Sequence, residues 1–270
     1  MTHDLRDAIF ASLDHRSFTA QVRVVEAGLV SGVELARCKV EALGCRVTDS
    51  VADGETATPD RAVLTFSGSA KAIAIAEDCV PGAIAKLSGI ARAARRAKEL
   101  AGERVRVVSG AAKKLPEEIK AQVRRAVHVG GGSGRIVDGP FIYLDKNYVR
   151  MFGGVRQALT AVAHMRGHAR VIQLRGQLAD LADEAKAALD LGAEVLMVDT
   201  GRLDDLDRVA AQVRAAGCRE RTAIAFAGDI ALADIPLIVT HDVDILDVGR
   251  AVIDAPMVDV KLDVTAAEQA

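Results

Sequence analysis

The chain has 270 residues, half of them hydrophobic, and 35 Lys+Arg stand against 37 Asp+Glu for a formal net charge of −2. This balance belongs to a globular chain with a core for one large or two modest domains, and it argues against a disordered chain or a nucleic-acid binder working through a basic surface. No apolar run approaches the length of a membrane span, and the start MTHDLRDAIF lacks the basic, apolar and small-residue order of a secretory leader.

Residues 1–103 read as an α/β portion. Apolar residues at helical spacing predict a helix from Gly28 to Leu43, stopped by Gly44. Short alternating runs (Ala62, Leu64, Phe66) punctuated by Gly and Pro predict strands and turns. A long helix follows from about Pro81 through Ala101, ending near Gly102. From 104 to 270 short apolar runs alternate with helical stretches. The runs are RVRVVSG, AVHVGGG, PFIYL, ARVIQL, AEVLMVDT, TAIAFAGD and VDILDVG. Strand–helix repetition with Val/Ile/Leu-rich strands predicts a buried parallel sheet, closed as a barrel or doubly wound. The tail VTAAEQA reads as a frayed end, with packing back onto the N-terminal domain as the alternative.

Cys38, Cys45, Cys79 and Cys218 show no CxxC pairing, so they read as buried reduced thiols of a cytoplasmic protein. The scattered histidines, His164 and His168 of HMRGH included, read as solvated rather than as a zinc site. With no Trp, two Tyr and six Phe, stacking platforms for bases are not expected.

Ligands of parallel α/β sheets bind beyond the carboxyl ends of the strands. The residues standing there are Ser109, Gly110, Gly130 to Gly132, Asp199, Gly228, Asp229 and Gly249. The cluster Gly130-Gly131-Gly132-Ser133-Gly134 is neither a Walker loop nor a dinucleotide fingerprint. With Arg135 beside it, it reads either as a carboxylate- or phosphate-holding turn or as a plain flexible turn.

In this order the motifs resemble the quinolinate phosphoribosyltransferase family over nearly the whole chain. The first half carries GLVSGVELARCKVEALG, FSGSAKAIAIAED and, most specifically, LSGIA (Leu87 to Ala91). The second half carries AKKLP, GGGSGRI, LDKNYV, MVDT, FAGDI and VGRAVIDAP. The resemblance implies an N-terminal α/β sandwich followed by an open α/β barrel. It also implies a homodimer in which one subunit's N-terminal domain covers the other's barrel. The implied reaction transfers phosphoribosyl from phosphoribosyl pyrophosphate to a pyridine dicarboxylate, with Mg²⁺ on the leaving group.

Carried over position by position, the family's site is largely rewritten. A lysine is kept at Lys113, an arginine at Arg135, an asparagine at Asn147, an acid that the resemblance links to metal at Asp199, and glycines at Gly132, Gly228 and Gly249. Basic family residues fall on Asp78 and Asp145, a glycine falls on Asp229, and an acidic one falls near Gln173 or Arg175. Lys114, Lys146 and Arg250 are the candidate replacements for lost cations. Lys113, Arg135, Asp145 and Asp199 are thus the candidate catalytic residues. Gly132, Asn147, Gly228, Asp229, Gly249 and Arg250 are the candidate substrate and phosphate contacts. Extra carboxylates disfavour the dianion quinolinate and suit a neutral or cationic acceptor. Two other readings stay open: a non-catalytic ligand-binding or assembly protein on the same scaffold, and a different chemistry run by Asp145, Asp199 and Asp229.

Overall fold

A computed structural model describes residues 4–269. In chain order its strands are β1 (Arg16–Val24), β2 (Gly28–Leu29), β3 (Arg46–Ser50), β4 (Thr56–Ala57), β5 (Ala62–Gly68), β6 (Arg106–Val108), β7 (Phe141–Leu144), β8 (Ala169–Leu174), β9 (Val195–Asp199), β10 (Ala223–Ala227), β11 (Ile245–Asp247) and β12 (Val260–Gln269). Two compact units emerge, one of residues 1–95, 116–131 and 254–270, the other of 96–115 and 132–253. The helix Glu117–Val129, which follows the 103/104 boundary in sequence, belongs to the first unit.

In the first unit an antiparallel sheet runs β12-β1-β5-β3. Alternate residues of β1 (Ala20, Val22, Val24) pack with Val63, Leu64 and Phe66 of β5 and with the helices Val33–Ala42 and Ala70–Cys79. This is the expected α/β sandwich. The tail is not a frayed end but packs back on the N-terminal unit: residues 260–269 pair with β1 along its whole length.

The helix predicted from Gly28 starts at Val33 instead. Arg92 donates to the carbonyls of Leu29 (3.0 Å) and Glu26 (3.1 Å), which removes those acceptors from a helix. Gly28 leaves room for that guanidinium, since a Cβ there would lie 2.7 Å from Arg92 Cζ. The long helix Pro81–Ala101 and its stop at Gly102 (φ +68°) are as read. Its Ser88, fully buried, accepts from the Ser31 N–H at 2.9 Å and donates to the Ser31 carbonyl at 3.1 Å. At Gly89 any Cβ would lie 2.1 Å from the Pro256 carbonyl oxygen. The specific motif LSGIA is therefore a packing device that holds two other chain segments against one helix.

The second unit holds six parallel strands in the order β6-β11-β10-β9-β8-β7. Six of the seven apolar runs became these strands. AVHVGGG did not: AVHV closes the helix Glu117–Val129, and Gly130 follows as its cap. The sheet curls around an interior of Val108, Val171, Val195, Met197, Ala225 and Ile245, with Ile136 closing in from the loop. It is an open barrel, bridged beyond β6 only at Val108–Ser133 among the described residues. No helix among the described residues is long and apolar enough to cross a membrane.

Candidate active site

Side chains of a strand alternate between faces, so the inward set of each barrel strand predicts what stands at its end. Val195 and Met197 face inward, and the same parity reaches Asp199. Ala223, Ala225 and Ala227 share it on β10, as do Ile245 and Asp247 on β11. On β8 Val171 leads to Gln173 and Arg175. On β7 Phe141 and Tyr143 lead to Asp145, and on β6 Val108 leads to Gly110. These residues border one cavity of about 700 Å³ at the carboxyl ends of the strands. Lys113, Lys114, Lys146, Asn147, Gly228, Asp229, Gly249 and Arg250 complete it from the loops.

Of the ten candidate site residues eight line this cavity. Gly132 and Arg135 do not. The Ser133 hydroxyl accepts from the Arg135 N–H at 3.1 Å and turns the chain back. Arg135 then donates to the Gly139 carbonyl at 2.6 Å and lies over the Phe141 ring, 5.1 Å from its centroid. Phe141 begins β7, so Arg135 stands at the amino end of the barrel strands. The glycine cluster serves packing instead: a Cβ on Gly130 would lie 2.3 Å from the Ala91 carbonyl oxygen. Asp78 belongs to the first unit and forms an exposed pair with Arg6 at 2.5 Å.

Each acidic residue of the cavity has a distinct environment. Asp145 caps the helix Lys146–Phe152, accepting from the N–H groups of Asn147 (2.8 Å) and Tyr148 (3.3 Å). Asp199 accepts from the Gln173 amide and lies 3.3 Å from Arg175. Gln173, buried, accepts in turn from the Lys146 N–H at 2.6 Å, tying β8 to the loop after β7. Asp229 adopts φ +58°, a conformation that Asp tolerates better than most residues, which lets it stand in place of a glycine. Its carboxylate takes Arg250 bidentately, with Nη2 at 2.6 Å from both oxygens, and that guanidinium holds its carboxyl below the usual range. Asp247 Oδ1 accepts from the Gly110 N–H at 2.8 Å. Burial pushes the Asp247 carboxyl up, against the pull of that N–H and of Lys113. Burial also pushes the Tyr143 hydroxyl up, with Asp247, Asp199 and Asp145 adding to it.

Five cationic side chains and four carboxylates border the cavity, so it is not the acidic pocket that the substitutions suggest in sequence. Both arginines are paired with aspartates, whereas Lys113, Lys114 and Lys146 have no carboxylate partner among the described residues. No group of three or more His, Cys, Asp or Glu among the described residues can hold a metal ion. Asp199 is engaged by Gln173 and Arg175, Asp229 by Arg250 and Asp145 by a helix start. These residues therefore do not fit a resident Mg²⁺ held by protein carboxylates. Asp145 and Asp199 both act on the Tyr143 hydroxyl, whereas Asp229 is engaged by Arg250.

Tyr143 and Asp247 escape the sequence reading. The signal for Asp247 was present, since ILD ends its strand as VLMVD ends β9. The four cysteines are all free thiols, and Cys38 is exposed rather than buried.

Comparison with known proteins matches residues 7–88 to the model of the quinolinate phosphoribosyl transferase N-terminal domain and residues 90–263 to that of its C-terminal domain. The chain belongs to the quinolinate phosphoribosyltransferase family. A probable nicotinate-nucleotide pyrophosphorylase (carboxylating) of Archaeoglobus fulgidus is 25% identical over 240 residues, covering 88% of this chain and 90% of the relative. The human nicotinate-nucleotide pyrophosphorylase is 25% identical over 231 residues, covering 84% and 76%. Among solved structures, the Pyrococcus furiosus nicotinate-nucleotide pyrophosphorylase superposes with TM-score 0.81 at 23% identity, covering 99% of this chain and 75% of that one. The Francisella tularensis enzyme gives TM-score 0.80 at 22% identity, covering 98% and 91%. At these identities the structures establish the fold, an α/β sandwich followed by an open barrel.

Proposed function

We propose that the chain is a phosphoribosyltransferase of cofactor biosynthesis whose acceptor is not quinolinate. One observation carries the reading: three lysines without carboxylate partners stand around the strand-end cavity, while both of its arginines are held by aspartates. Lysine ammoniums suit the phosphates of phosphoribosyl pyrophosphate as point charges. A pyridine dicarboxylate calls for planar guanidinium forks, and here Arg250's is filled by Asp229 while Arg175 already gives one N–H to Asp199. In the reaction the C1–O bond to pyrophosphate breaks, the pyrophosphate keeps the electron pair, and a ring nitrogen of the acceptor forms the new bond to C1. Asp199, fixed by Gln173 and Arg175, supplies negative charge toward an oxocarbenium-like transition state. Mg²⁺ enters this reading as the counter-ion of the pyrophosphate rather than as a protein-held ion. We also expect a homodimer or a dimer-based assembly, checked by light scattering.

The test is calorimetric titration with phosphoribosyl pyrophosphate and Mg²⁺, with quinolinate in parallel. Micromolar binding of the donor without quinolinate supports the reading. Binding of both overturns the altered acceptor, and binding of neither overturns the transferase.

A further inference from the structure

Asp247 and Tyr143 are the cavity groups that the phosphate-directed reading leaves without a task. Both lie on the inward parity of their strands and border the cavity floor. Asp247 Oδ1 is taken by the Gly110 N–H, whereas Oδ2 accepts from nothing among the described residues. The Tyr143 hydroxyl, half-buried, likewise has no protein partner there. A carboxyl oxygen and a hydroxyl on the cavity wall without protein partners are open to a ligand's donor and acceptor. Their chemistry is complementary to a group that offers an N–H to the carboxylate and an acceptor to the hydroxyl. A carboxylate substituent on the acceptor would instead meet Asp247 as a like charge, with Asp199 and Asp145 nearby.

We propose that Asp247 and Tyr143 select the acceptor, a neutral nitrogen heterocycle bearing a carboxamide-type N–H beside an oxygen or ring-nitrogen acceptor. The inference rests on the phosphoribosyltransferase reading and names its substrate class. Sites built to hydrogen-bond a substrate N–H reject analogues that lack it far more strongly than apolar pockets reject a missing methylene.

Three pyridines that differ only in this feature test it: pyridine-3-carboxamide, pyridine-3-carboxylate and pyridine-2,3-dicarboxylate. Each is titrated calorimetrically into the full chain, with and without phosphoribosyl pyrophosphate and Mg²⁺. The carboxamide should bind at least about tenfold more tightly than the dicarboxylate. Asp247→Asn keeps the Gly110 contact but presents a donor where Oδ2 accepted. It should cost the carboxamide about tenfold or more and narrow or invert its lead over the monocarboxylate. Tyr143→Phe should weaken the carboxamide about three- to tenfold and leave the two carboxylates little changed. Thermal unfolding checks that both variants fold, and Tyr143→Phe with the wild-type order decides if Asp247→Asn does not. Donor binding together with a preference for the dicarboxylate overturns the inference. So do ratios unmoved in folded variants, or binding of no pyridine under either condition. Failure of the donor to bind overturns the transferase reading instead, while the pyridine series without donor still reports on Asp247.

Discussion

Replacing Ser88 by Ala tests whether the LSGIA motif is structural. Ser88 and Ser31 are 0% and 1% exposed, so solvent does not reach the hydroxyl or the peptide groups it joins. The hydroxyl accepts from one buried N–H and donates to one buried carbonyl of the same residue. Losing it strands both, at about 1–3 kcal/mol for each unsatisfied group. Part of that returns if the segment settles or a water enters, so we expect about 2–4 kcal/mol, a large share of the roughly 5–15 kcal/mol of a typical domain. Gly32 leaves little freedom for settling, because a Cβ there would already lie 2.9 Å from the Ala83 carbonyl oxygen. The assay is urea unfolding followed by circular dichroism, since the chain has no Trp. The control is Thr48→Ala, whose exposed hydroxyl contact to Thr65 should be worth less than about 0.5 kcal/mol. A loss at Ser88 below about 1 kcal/mol would refute the argument, because it would mean that water replaces the hydroxyl at no great cost.

Three further outcomes follow from the site. Gly228→Ala should destabilise by about 2–4 kcal/mol, read by the same unfolding assay: φ is +122° and the new Cβ would lie 2.2 Å from the Gly201 nitrogen. Asp247→Asn should gain stability relative to wild type as pH rises. The folded carboxyl binds its proton more tightly than the unfolded one, so the wild type is favoured below the unfolded value of about 3.9 and loses that advantage as pH climbs through the folded value. Unfolding curves from pH 3 to 7 check this, and a variant that loses stability relative to wild type as pH rises would contradict it. Asp229→Asn should tighten inorganic pyrophosphate binding and steepen its salt dependence, because a carboxylate leaves the loop beside Gly228 while Arg250 keeps its charge; calorimetry at two ionic strengths reads both.

The barrel was legible because parallel strands buried on both faces write themselves as short Val/Ile/Leu runs ending in Asp, Gly or Ser. Those endings also marked most of the cavity, since a strand end is where a parallel sheet meets its ligand. AVHV failed because a four-residue apolar run has no period of its own, and here its Ala126 and Val127 continue the helical face begun at Val123. The start of the helix Val33–Ala42 failed because the competing donor to the carbonyls before it, Arg92, lies more than sixty residues away. The tail failed because VTAAEQA alone carries little alternation; the alternating Val260, Leu262 and Val264 begin the same strand, and β1 pairs with all of it. Arg135 failed on a side-chain turn at Ser133, a local contact that motif alignment does not see.

The substitutions that separate this chain from its family's motifs are not scattered. The retained positions, Ser31, Gly32, Ser88 and Gly89, are those where one backbone touches another or a hydroxyl serves a buried peptide. Of the positions that the resemblance marks as altered, Asp145, Gln173, Arg175 and Asp229 stand at strand ends, where a side chain can change without disturbing the core beneath it, and Asp78 stands exposed on the helix Ala70–Cys79. The new charges are also compensated locally. Asp229 sits against Arg250, and Arg175 against Asp199 with Gln173 between strands. Such pairs let charges enter a recessed site without leaving one alone, whose cost would be far larger than that of a matched pair. Their consequence is chemical. The Arg250 fork is taken by Asp229 and Arg175 is drawn to Asp199, whereas the lysines, which favour phosphates as point charges, have no carboxylate partner among the described residues. On the function proposed above, such a site would keep its hold on a phosphorylated sugar while giving up its hold on a dicarboxylate, and the oxygens of Asp247 and Tyr143 would choose the ring.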